Sequence, residues 1–335
     1  MSELRQNLAT KEWYVIATER ARRPEEFKHK KPPRLAKAFE PNCPFCPGNE
    51  KMTPPAEEVI KVGGAWSIRV VPNKFSVFRR EGSRERRLNG IYREMEGVGI
   101  HEVIVETPLH NQVIPSMSLK QTERIVKVYR DRYISTLKDD RIELVIIFKN
   151  YGAAAGTSLE HPHSQLIATP LVPTHIRYRM EEARKYSDES GRCVFCDTVQ
   201  AEREDARRMV AENRDFVAFV PFASGSPFEV WIMPKRHHAC FCEIRNSELR
   251  PFASILQEVL ARWYWGLDDP DFNFVIRSTP NDERHSNAFH WYVKMMPKLV
   301  SVAGFELGTG MYVNTTLPEE NAEYLRAVKI PAKLG

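Results

Sequence analysis

Residues 150–165 combine small residues, a hydroxyl group and two histidines in a pattern suited to chemistry at phosphorus. The segment reads NYGAAAGTSLEHPHSQ and follows the apolar run 144–148, which predicts a buried strand. A glycine-containing loop lets backbone N–H groups approach a phosphate closely. His161 and His163 are two residues apart, so on a strand both rings would lie on one face. This pattern indicates nucleophilic chemistry at phosphorus.

A second pattern, Cys-x-x-Cys followed by two distant histidines, occurs once in each half of the chain. Two thiolates and two imidazoles satisfy a tetrahedral zinc ion and leave no open position. A single Cys-x-x-Cys could equally be a redox pair, but the repeated order favours metal binding. The chain therefore predicts two zinc sites, the first formed by Cys43, Cys46, His110 and His161, and the second by Cys193, Cys196, His237 and His290.

Two histidines are rivals for these ligand positions, namely His101 in the first copy and His238 in the second. The metal of the second site is left open between zinc, iron and none. The remaining cysteines, Cys240 and Cys242, lack ligand-like spacing and are expected to be ordinary small side chains. Tyr292 stands where the second copy would repeat His163, so we expect one nucleophile per chain.

The elements that must position these residues form an antiparallel α+β arrangement. We expect two fused repeats, each an antiparallel sheet with packed helices, comprising residues 1–175 and 193–335 with a linker at 176–192. Alternating and apolar runs predict strands at 66–71, 101–106, 141–148, 164–169, 216–220, 229–233, 272–277 and 290–296. Helical periodicity predicts helices at 119–137 and 247–267, the former opened by Ser118 and Gln121 in a capping-box pattern.

The composition is that of a globular protein with anionic small-molecule partners. The chain has 335 residues, 42% hydrophobic and 28% charged, with a net charge of +5. No apolar run approaches membrane-spanning length, and the first residues lack a secretory apolar stretch. Basic and acidic residues are interleaved, which does not argue for nucleic acid. We therefore expect a cytoplasmic protein with neither a membrane nor a nucleic-acid partner.

At residues 150–165 the sequence resembles the galactose-1-phosphate uridylyltransferase family, a branch of the histidine-triad superfamily. The resemblance spans essentially the whole chain. Its specific motif is Asn-x-Gly followed by Gly-x-Ser-x-x-His-Pro-His-x-Gln. Further matches are 20–24 (RARRP), 70–75 (VVPNKF) and 304–306 (GFE).

The resemblance implies a role for each matching residue. His163 would attack the α-phosphorus of a nucleoside diphosphate compound, and Gln165 would hold the phosphoryl oxygens. Because glutamine at this position tends to mark transferases of the superfamily, Gln165 points to transfer rather than hydrolysis. The remaining implied substrate contacts are Arg20, Arg23 and Ser158 to phosphates, Gly156 in the phosphate loop, Asn73 and Asn150 around the nucleoside, and Glu306 to sugar hydroxyls.

The resemblance leaves the donor open. The family default is uridylyl transfer between a UDP-hexose and a hexose-1-phosphate. Adenylyl transfer to inorganic phosphate, from ADP-glucose, adenylylsulfate or a dinucleoside polyphosphate, is the alternative. Lys74 in place of the family's aspartate favours this alternative, as does the second Cys-x-x-Cys, which resembles plant-type relatives acting on ADP-glucose. The family also implies a homodimer whose partner subunit helps to complete the site.

A different hypothesis is that the chain is a non-catalytic binding module whose fold is stabilised by zinc. Two zinc-like sites and a pI of about 8.8 favour it. Base-stacking aromatics interleaved with a basic stripe are missing from the sequence, however, and this hypothesis gives His163 and Gln165 no task.

Overall fold

A computed structural model describes residues 2–18, 24–27 and 37–331 of the chain. The strands are β1 (Glu3–Gln6), β2 (Trp13–Ile16), β3 (Glu58–Val62), β4 (Ala65–Pro72), β5 (Arg87–Asn89), β6 (Tyr92–Glu94), β7 (Ile100–Val105), β8 (Leu144–Tyr151), β9 (His163–Thr169), β10 (Met209–Glu212), β11 (Phe216–Phe219), β12 (Val230–Pro234), β13 (Phe272–Arg277), β14 (Tyr292–Pro297) and β15 (Val313–Asn314). The helices are α1 (Leu119–Thr136), α2 (Thr174–Ser190), α3 (Val194–Asp205), α4 (Asn246–Gly266), α5 (Gly304–Thr309) and α6 (Pro318–Ala327).

A ten-stranded antiparallel sheet crosses the molecule in the order β10-β11-β12-β14-β13-β8-β9-β7-β4-β3. Each half contributes five neighbouring strands, and the two sets run in mirrored order from the central pair β8 and β13. In that pair Asn150 lies opposite Asn273. The α+β class and the duplication are confirmed. The two repeats share one sheet because pairing β8 with β13 satisfies backbone groups that two separate sheets would each leave at an edge.

The predicted elements of this sheet are confirmed, with bounds shifted by up to three residues. The largest shift is at β8, which begins at Leu144 and runs through Asn150 to Tyr151. Helix α1 begins after Ser118, whose hydroxyl accepts the Gln121 N–H at 3.2 Å. The stretch predicted as a linker, 176–192, is mostly helix α2, which ends at Ser190 and is followed by Gly191 with a φ of 70°.

Separate hydrophobic clusters lie on the two faces of the sheet. On one face, inward side chains such as Ile104, Ile147 and Phe274 pack with Ile125 of α1 and Leu256 of α4 in the main hydrophobic cluster. Alternate residues along each strand point to the opposite face. On that face the second half is covered by α2 and α3 in a separate cluster. Within the described residues, no helix is long and apolar enough to cross a membrane.

Candidate active site and metal centres

His163 is the first residue of β9 and lies at a cavity of about 370 Å³. The cavity is lined by the end of β8, parts of the 152–162 loop, His163 itself and Asp271. The ring is 7% exposed, and its Nδ1 lies 2.8 Å from the backbone oxygen of His161. Because a carbonyl can only accept, Nδ1 carries the proton and Nε2 keeps the lone pair.

The surroundings of His163 keep its imidazole neutral. Burial lowers the pKa of His163 below its ordinary value, and the nearby Lys149 cation lowers that pKa further. The Phe45 ring packs edge-on against it with centroids 5.4 Å apart. A neutral imidazole in this tautomer is a competent nucleophile at pH 7.

A buried ion pair lies behind His163, on the helix side of the sheet, and the sequence analysis missed it. Lys149 Nζ donates to Glu106 Oε2 at 2.7 Å and to the backbone oxygen of His163 at 3.0 Å. Tyr129 from α1 and Ser164 from β9 both donate to the other carboxylate oxygen of Glu106. The network ties the backbone at His163 to both β7 and α1. Only the register of β7, β8 and β9 brings these residues together.

The 152–162 loop owes its shape to two glycines and to the second half of the chain. Gly152 and Gly156 have φ angles of 86° and 83°, which a residue with a Cβ adopts only with strain. The Ala154 N–H donates to the Asp271 carboxylate at 2.7 Å. Asn273 donates through Nδ2 to the Ala155 backbone oxygen at 2.9 Å. Asp271, just before β13, and Asn273 within it therefore stabilise this loop. The sequence analysis selected neither residue.

The loop presents fewer backbone donors to a phosphate than its composition suggested. The Ala154 N–H donates to Asp271, and the N–H groups of residues 155–157 donate to the backbone oxygens of Gly152 and Ala153. These four donors are therefore already used within the protein. Ser158 is exposed and lines the cavity, which places its hydroxyl where an anion could meet it. Gly156 serves the loop through its backbone conformation, since a Cβ there would meet no atom within 4 Å.

The other predicted substrate residues lie at differing distances from this cavity. Asn150 lines it, and its Oδ1 accepts from Asn273 at 2.8 Å. Asn73 follows β4, and its Oδ1 accepts the Phe75 N–H at 2.9 Å. Glu306 does not line this cavity in the described part of the chain; its carboxylate accepts the Ala303 N–H at the start of α5. Arg20 and Arg23 lie outside the described residues.

Gln165 lies two residues beyond His163 on β9, so the two side chains share a face of the sheet. Its Oε1 is 2.8 Å from Nε2 of His101, which belongs to the neighbouring strand β7. His101 is therefore engaged with Gln165 and is not part of either metal-ligand group. The sequence analysis considered His101 only as a rival metal ligand.

The first predicted ligand set converges on one point. The ligand atoms of Cys43, Cys46, His110 and His161 all lie within 4.8 Å of one another, and all four residues are buried. Cys46 Sγ is 3.5 Å from His110 Nδ1 and 3.6 Å from His161 Nδ1. A tetrahedral zinc ion with ordinary bond lengths would separate sulfur from nitrogen by about 3.6 Å. The residues present therefore fit such an ion.

Neighbouring groups orient the side chains of the first site for metal binding. His161 donates through Nε2 to the Thr107 backbone oxygen at 2.8 Å, which leaves Nδ1 for the metal. Burial raises the pKa of Cys43 to about 11 in the protein without metal. Metal binding at this site must therefore displace a proton from that thiol.

The second ligand set converges in the same way. Cys193, Cys196, His237 and His290 have ligand atoms within 4.8 Å of one another. Cys196 Sγ lies 3.3 Å from His237 Nδ1 and 3.6 Å from His290 Nδ1. Hydrogen bonds from Cys196 and His237 lower the pKa of Cys193 to about 5. His238, the predicted rival, is buried and lies outside this group, 3.4 Å from Glu248.

The expectation that Cys240 and Cys242 are ordinary small side chains is wrong. The structure joins them in a disulfide. Their Cα atoms are 5.2 Å apart, within the range that a disulfide spans. The short Cys-x-Cys spacing was interpreted only in terms of metal ligands, so this pairing was overlooked.

The second copy holds a packed aromatic residue where the first holds His163. Tyr292 is the first residue of β14, as His163 is of β9. Its ring stacks on Trp231 with centroids 4.5 Å apart and is 2% exposed. Tyr292 belongs to the cluster that α2 helps to cover through Met180 and Ala183. Helix α2 thus covers this face of the second half, whereas the equivalent face of the first half, at His163, borders a cavity.

Comparison with known proteins places both halves in one family of sequences. Residues 1–173 match the N-terminal domain of galactose-1-phosphate uridyl transferase, and residues 179–333 match its C-terminal domain. An ADP-glucose phosphorylase of Arabidopsis thaliana is 32% identical over 98% of this chain and 93% of its own length. A galactose-1-phosphate uridylyltransferase of Thermotoga maritima is 31% identical over 98% of this chain and 99% of its own.

Solved structures agree with these matches. The Arabidopsis ADP-glucose phosphorylase with bound ADP-glucose superposes with a TM-score of 0.83 at 29% identity, covering 98% of this chain and 100% of that one. A uridylyltransferase superposes with a TM-score of 0.76 at 27% identity, covering 98% of both chains.

Proposed function

The chain belongs to the galactose-1-phosphate uridylyltransferase family, and we propose that it transfers a nucleoside monophosphate through a covalent intermediate on His163. It is an enzyme of the nucleotidyltransferase class. The observation that carries the proposal is the Nδ1 hydrogen bond of His163 to the His161 carbonyl, which leaves Nε2 as the basic nitrogen at the cavity. A non-catalytic binding module would give this basic nitrogen at the cavity no task.

The reaction divides into two displacements at phosphorus. In the first, Nε2 of His163 forms a bond to the α-phosphorus of the donor, and the bond from that phosphorus to the bridging oxygen breaks. The leaving group is a sugar phosphate or the equivalent anion. In the second, a phosphate oxygen of the acceptor forms a bond to the same phosphorus, and the N–P bond breaks to restore neutral imidazole. This sequence predicts ping-pong kinetics.

The residues around His163 have separate tasks in this scheme. Gln165 and Ser158 would hold the phosphoryl oxygens, while Gly156 keeps the loop open. Asn73 and Asn150 would meet the nucleoside, and Glu306 the sugar hydroxyls. Arg20 and Arg23 would supply fixed positive charge for the phosphates. The geometry at His163, Ser158 and Asn150 supports these assignments, since all three line one cavity.

Zinc is our proposed occupant of both Cys/His groups. When bound at Cys43, Cys46, His110 and His161, it would stabilise the segment leading into β9 as a structural ion with no open position. The thiolate and imidazole donors suit zinc, and the sulfur–nitrogen separations of 3.5 to 3.7 Å fit it. Cys193, Cys196, His237 and His290 would hold the second ion. A cytoplasmic location is part of the proposal, because Cys43, Cys46, Cys193 and Cys196 must stay reduced to hold a metal; the Cys240–Cys242 disulfide does not support that location.

Uridylyl transfer between a UDP-hexose and a hexose-1-phosphate is the donor–acceptor pair that we propose first. Adenylyl transfer to inorganic phosphate, from ADP-glucose, adenylylsulfate or a dinucleoside polyphosphate, is the second candidate. Lys74 and the second Cys/His group favour it, as does the likeness to a relative solved with ADP-glucose bound. Both candidates use His163 in the same way.

Intact-protein mass spectrometry tests the proposal and separates the donors. The protein would be mixed with UDP-glucose, ADP-glucose or adenylylsulfate, each without acceptor. An adduct of UMP mass selects the first candidate, and one of AMP mass selects the second. An adduct that persists in His163→Ala would refute His163 as the attachment site. If none of these three gives an adduct, transfer from them through His163 is excluded, and a different nucleotide donor or the binding module is favoured.

We also propose a homodimer, on the evidence of an exposed apolar hairpin. Strands β5 and β6 form a separate two-stranded sheet. Leu88, Ile91 and Tyr92 on this hairpin are 75%, 89% and 71% exposed. Contiguous exposed apolar side chains of this kind mark interaction surfaces. Light scattering should give a dimer mass for the wild type and a monomer mass for Ile91→Lys; a wild-type monomer would exclude the dimer.

A further inference from the structure

His101 occupies a central position beside the phosphoryl-binding residue. It lies on β7 opposite Ile167 of β9, and therefore on the same face as His163 and Gln165. The side chain is 8% exposed, and Nε2 is 2.8 Å from Gln165 Oε1. A close polar contact between two buried side chains constrains how both of them are oriented.

The second ring nitrogen of His101 determines its tautomer. The backbone N–H of Val77 points at His101 Nδ1 at 3.4 Å. An N–H can only donate, so Nδ1 must accept and carries no proton. The proton of neutral His101 is then on Nε2, which donates to Gln165 Oε1.

This donation decides which end of the Gln165 amide is available to a ligand. With Oε1 occupied by His101, the amide NH₂ is the end left to donate to phosphoryl oxygens. In the opposite orientation the amide would present its carbonyl oxygen, which repels an anion. We infer that His101 is a positioning residue that holds the Gln165 amide with its NH₂ towards the phosphoryl group on His163. The inference rests on the proposed function of His163.

Asn73 provides the competing arrangement. Its Nδ2 is 3.0 Å from the same His101 Nε2, while its Oδ1 accepts the Phe75 N–H. If His101 carried its proton on Nδ1 instead, Nε2 would accept from Asn73 and Gln165 would have to rotate its amide. With the proton on Nε2, the contacts to Val77 and Gln165 are both satisfied, while the Asn73 amide N–H faces the Nε2 proton at 3.0 Å. With the proton on Nδ1, only the Asn73 contact is satisfied, because Nδ1 would face the Val77 N–H and the Nε2 lone pair would face Gln165 Oε1. The two alternatives therefore differ in the tautomer of one ring.

Nitrogen-15 NMR of the zinc-loaded protein tests the tautomer directly. The protein would be labelled at the histidine ring nitrogens, and the His101 signals would be assigned by their loss in His101→Phe. We expect a protonated Nε2 and an unprotonated Nδ1 at pH 7.5. A protonated Nδ1 at that pH would overturn the inference.

Single-turnover adduct formation tests the consequence for chemistry. With the donor that labels the wild type, His101→Phe should slow labelling of His163 by on the order of 10- to 100-fold, with little change in the donor concentration giving half-maximal rate. His101→Gln, which can return a donor near the position of Nε2, should recover part of the rate. The double variant His101→Phe/Gln165→Ala should be no slower than Gln165→Ala alone, because both changes remove one interaction.

The controls separate the two hypotheses. Zinc content and thermal unfolding should match the wild type in each variant used for rates, and the NMR measurement on the wild type stands even where a variant fails to fold. A wild-type protein that forms no adduct refutes the proposed function, and the inference with it. Normal wild-type labelling with an unchanged rate in His101→Phe, or multiplying losses in the double variant, refutes the role of His101 alone.

Discussion

Replacing Lys149 by methionine removes one charge of the buried pair behind His163. Methionine keeps most of the stem but cannot donate to Glu106 or to the His163 carbonyl, which Lys149 reaches at 2.7 and 3.0 Å. The side chains of Lys149 and Glu106 are only 4% and 0% exposed, so water cannot replace the lost partner. Removing one member of such a pair costs about 3–5 kcal/mol. Because Tyr129 and Ser164 still donate to Glu106, we expect the lower end, about 3 kcal/mol.

A double-mutant cycle isolates the pair from the rest of the network. Glu106→Gln keeps an oxygen for Tyr129 and Ser164 but leaves the Lys149 ammonium without its counter-charge, so a similar loss of about 3 kcal/mol is expected. In the double variant neither buried charge remains. Its loss should be smaller than the sum of the single losses by about 2–3 kcal/mol.

Urea unfolding followed by circular dichroism gives these free energies, at constant pH and with zinc held at one concentration. Lys127→Met is the matched control, because Lys127 pairs with Asp131 on the exposed surface of α1 with 56% of its side chain exposed. That change should alter the free energy of unfolding by no more than about 0.5 kcal/mol. Additive losses in the cycle, or a Lys149→Met loss no larger than that of Lys127→Met, would refute the argument.

Three further predictions concern His163, the first Cys/His group and a buried acid. His163→Ala should abolish nucleotidyl transfer while bound zinc and folding stay intact; retained turnover would contradict the mechanism. Cys43→Ser should lower both zinc stoichiometry, measured by plasma emission, and stability; an unchanged metal content would remove the first site. Burial raises the pKa of Glu202 to about 7, above its ordinary 4.5, despite its ion pair with Arg208. The protonated form of Glu202 therefore favours the folded state at low pH. This contribution to the free energy of unfolding is lost as the pH rises from 4.5 to 7. Glu202→Gln should gain on the order of 2 kcal/mol relative to the wild type between pH 5 and pH 8; a constant difference in urea unfolding would exclude the raised pKa.

Much of the central sheet could be predicted from the sequence because its signals are local. The apolar runs at β8 and β13 and the periodicity of α1 and α4 depend only on neighbouring residues. The spacing of the cysteines and histidines was informative because zinc chemistry restricts ligand types and the order was repeated. Both metal-ligand groups converge as expected.

Helix α2 was missed because its sequence is dominated by charge. Met180 and Ala183 are the buried residues of this 17-residue helix, so its apolar face is narrow. A helix with so few apolar residues depends on what it packs against, here the face of β14 and β12 in the second half. The three-stranded sheet of β1, β2 and β15 was missed because it pairs the two ends of the chain.

By itself the sequence indicated which residue types could do the chemistry, the two repeated Cys/His groups and the order of the main strands and helices. The tertiary structure alone decided that Lys149 meets Glu106, that His101 meets Gln165 and that Asp271 holds the Ala154 N–H. These partners are 43, 64 and 117 residues apart. Local propensity cannot predict such contacts, because they depend on strand register and packing, which are properties of the folded sheet as a whole.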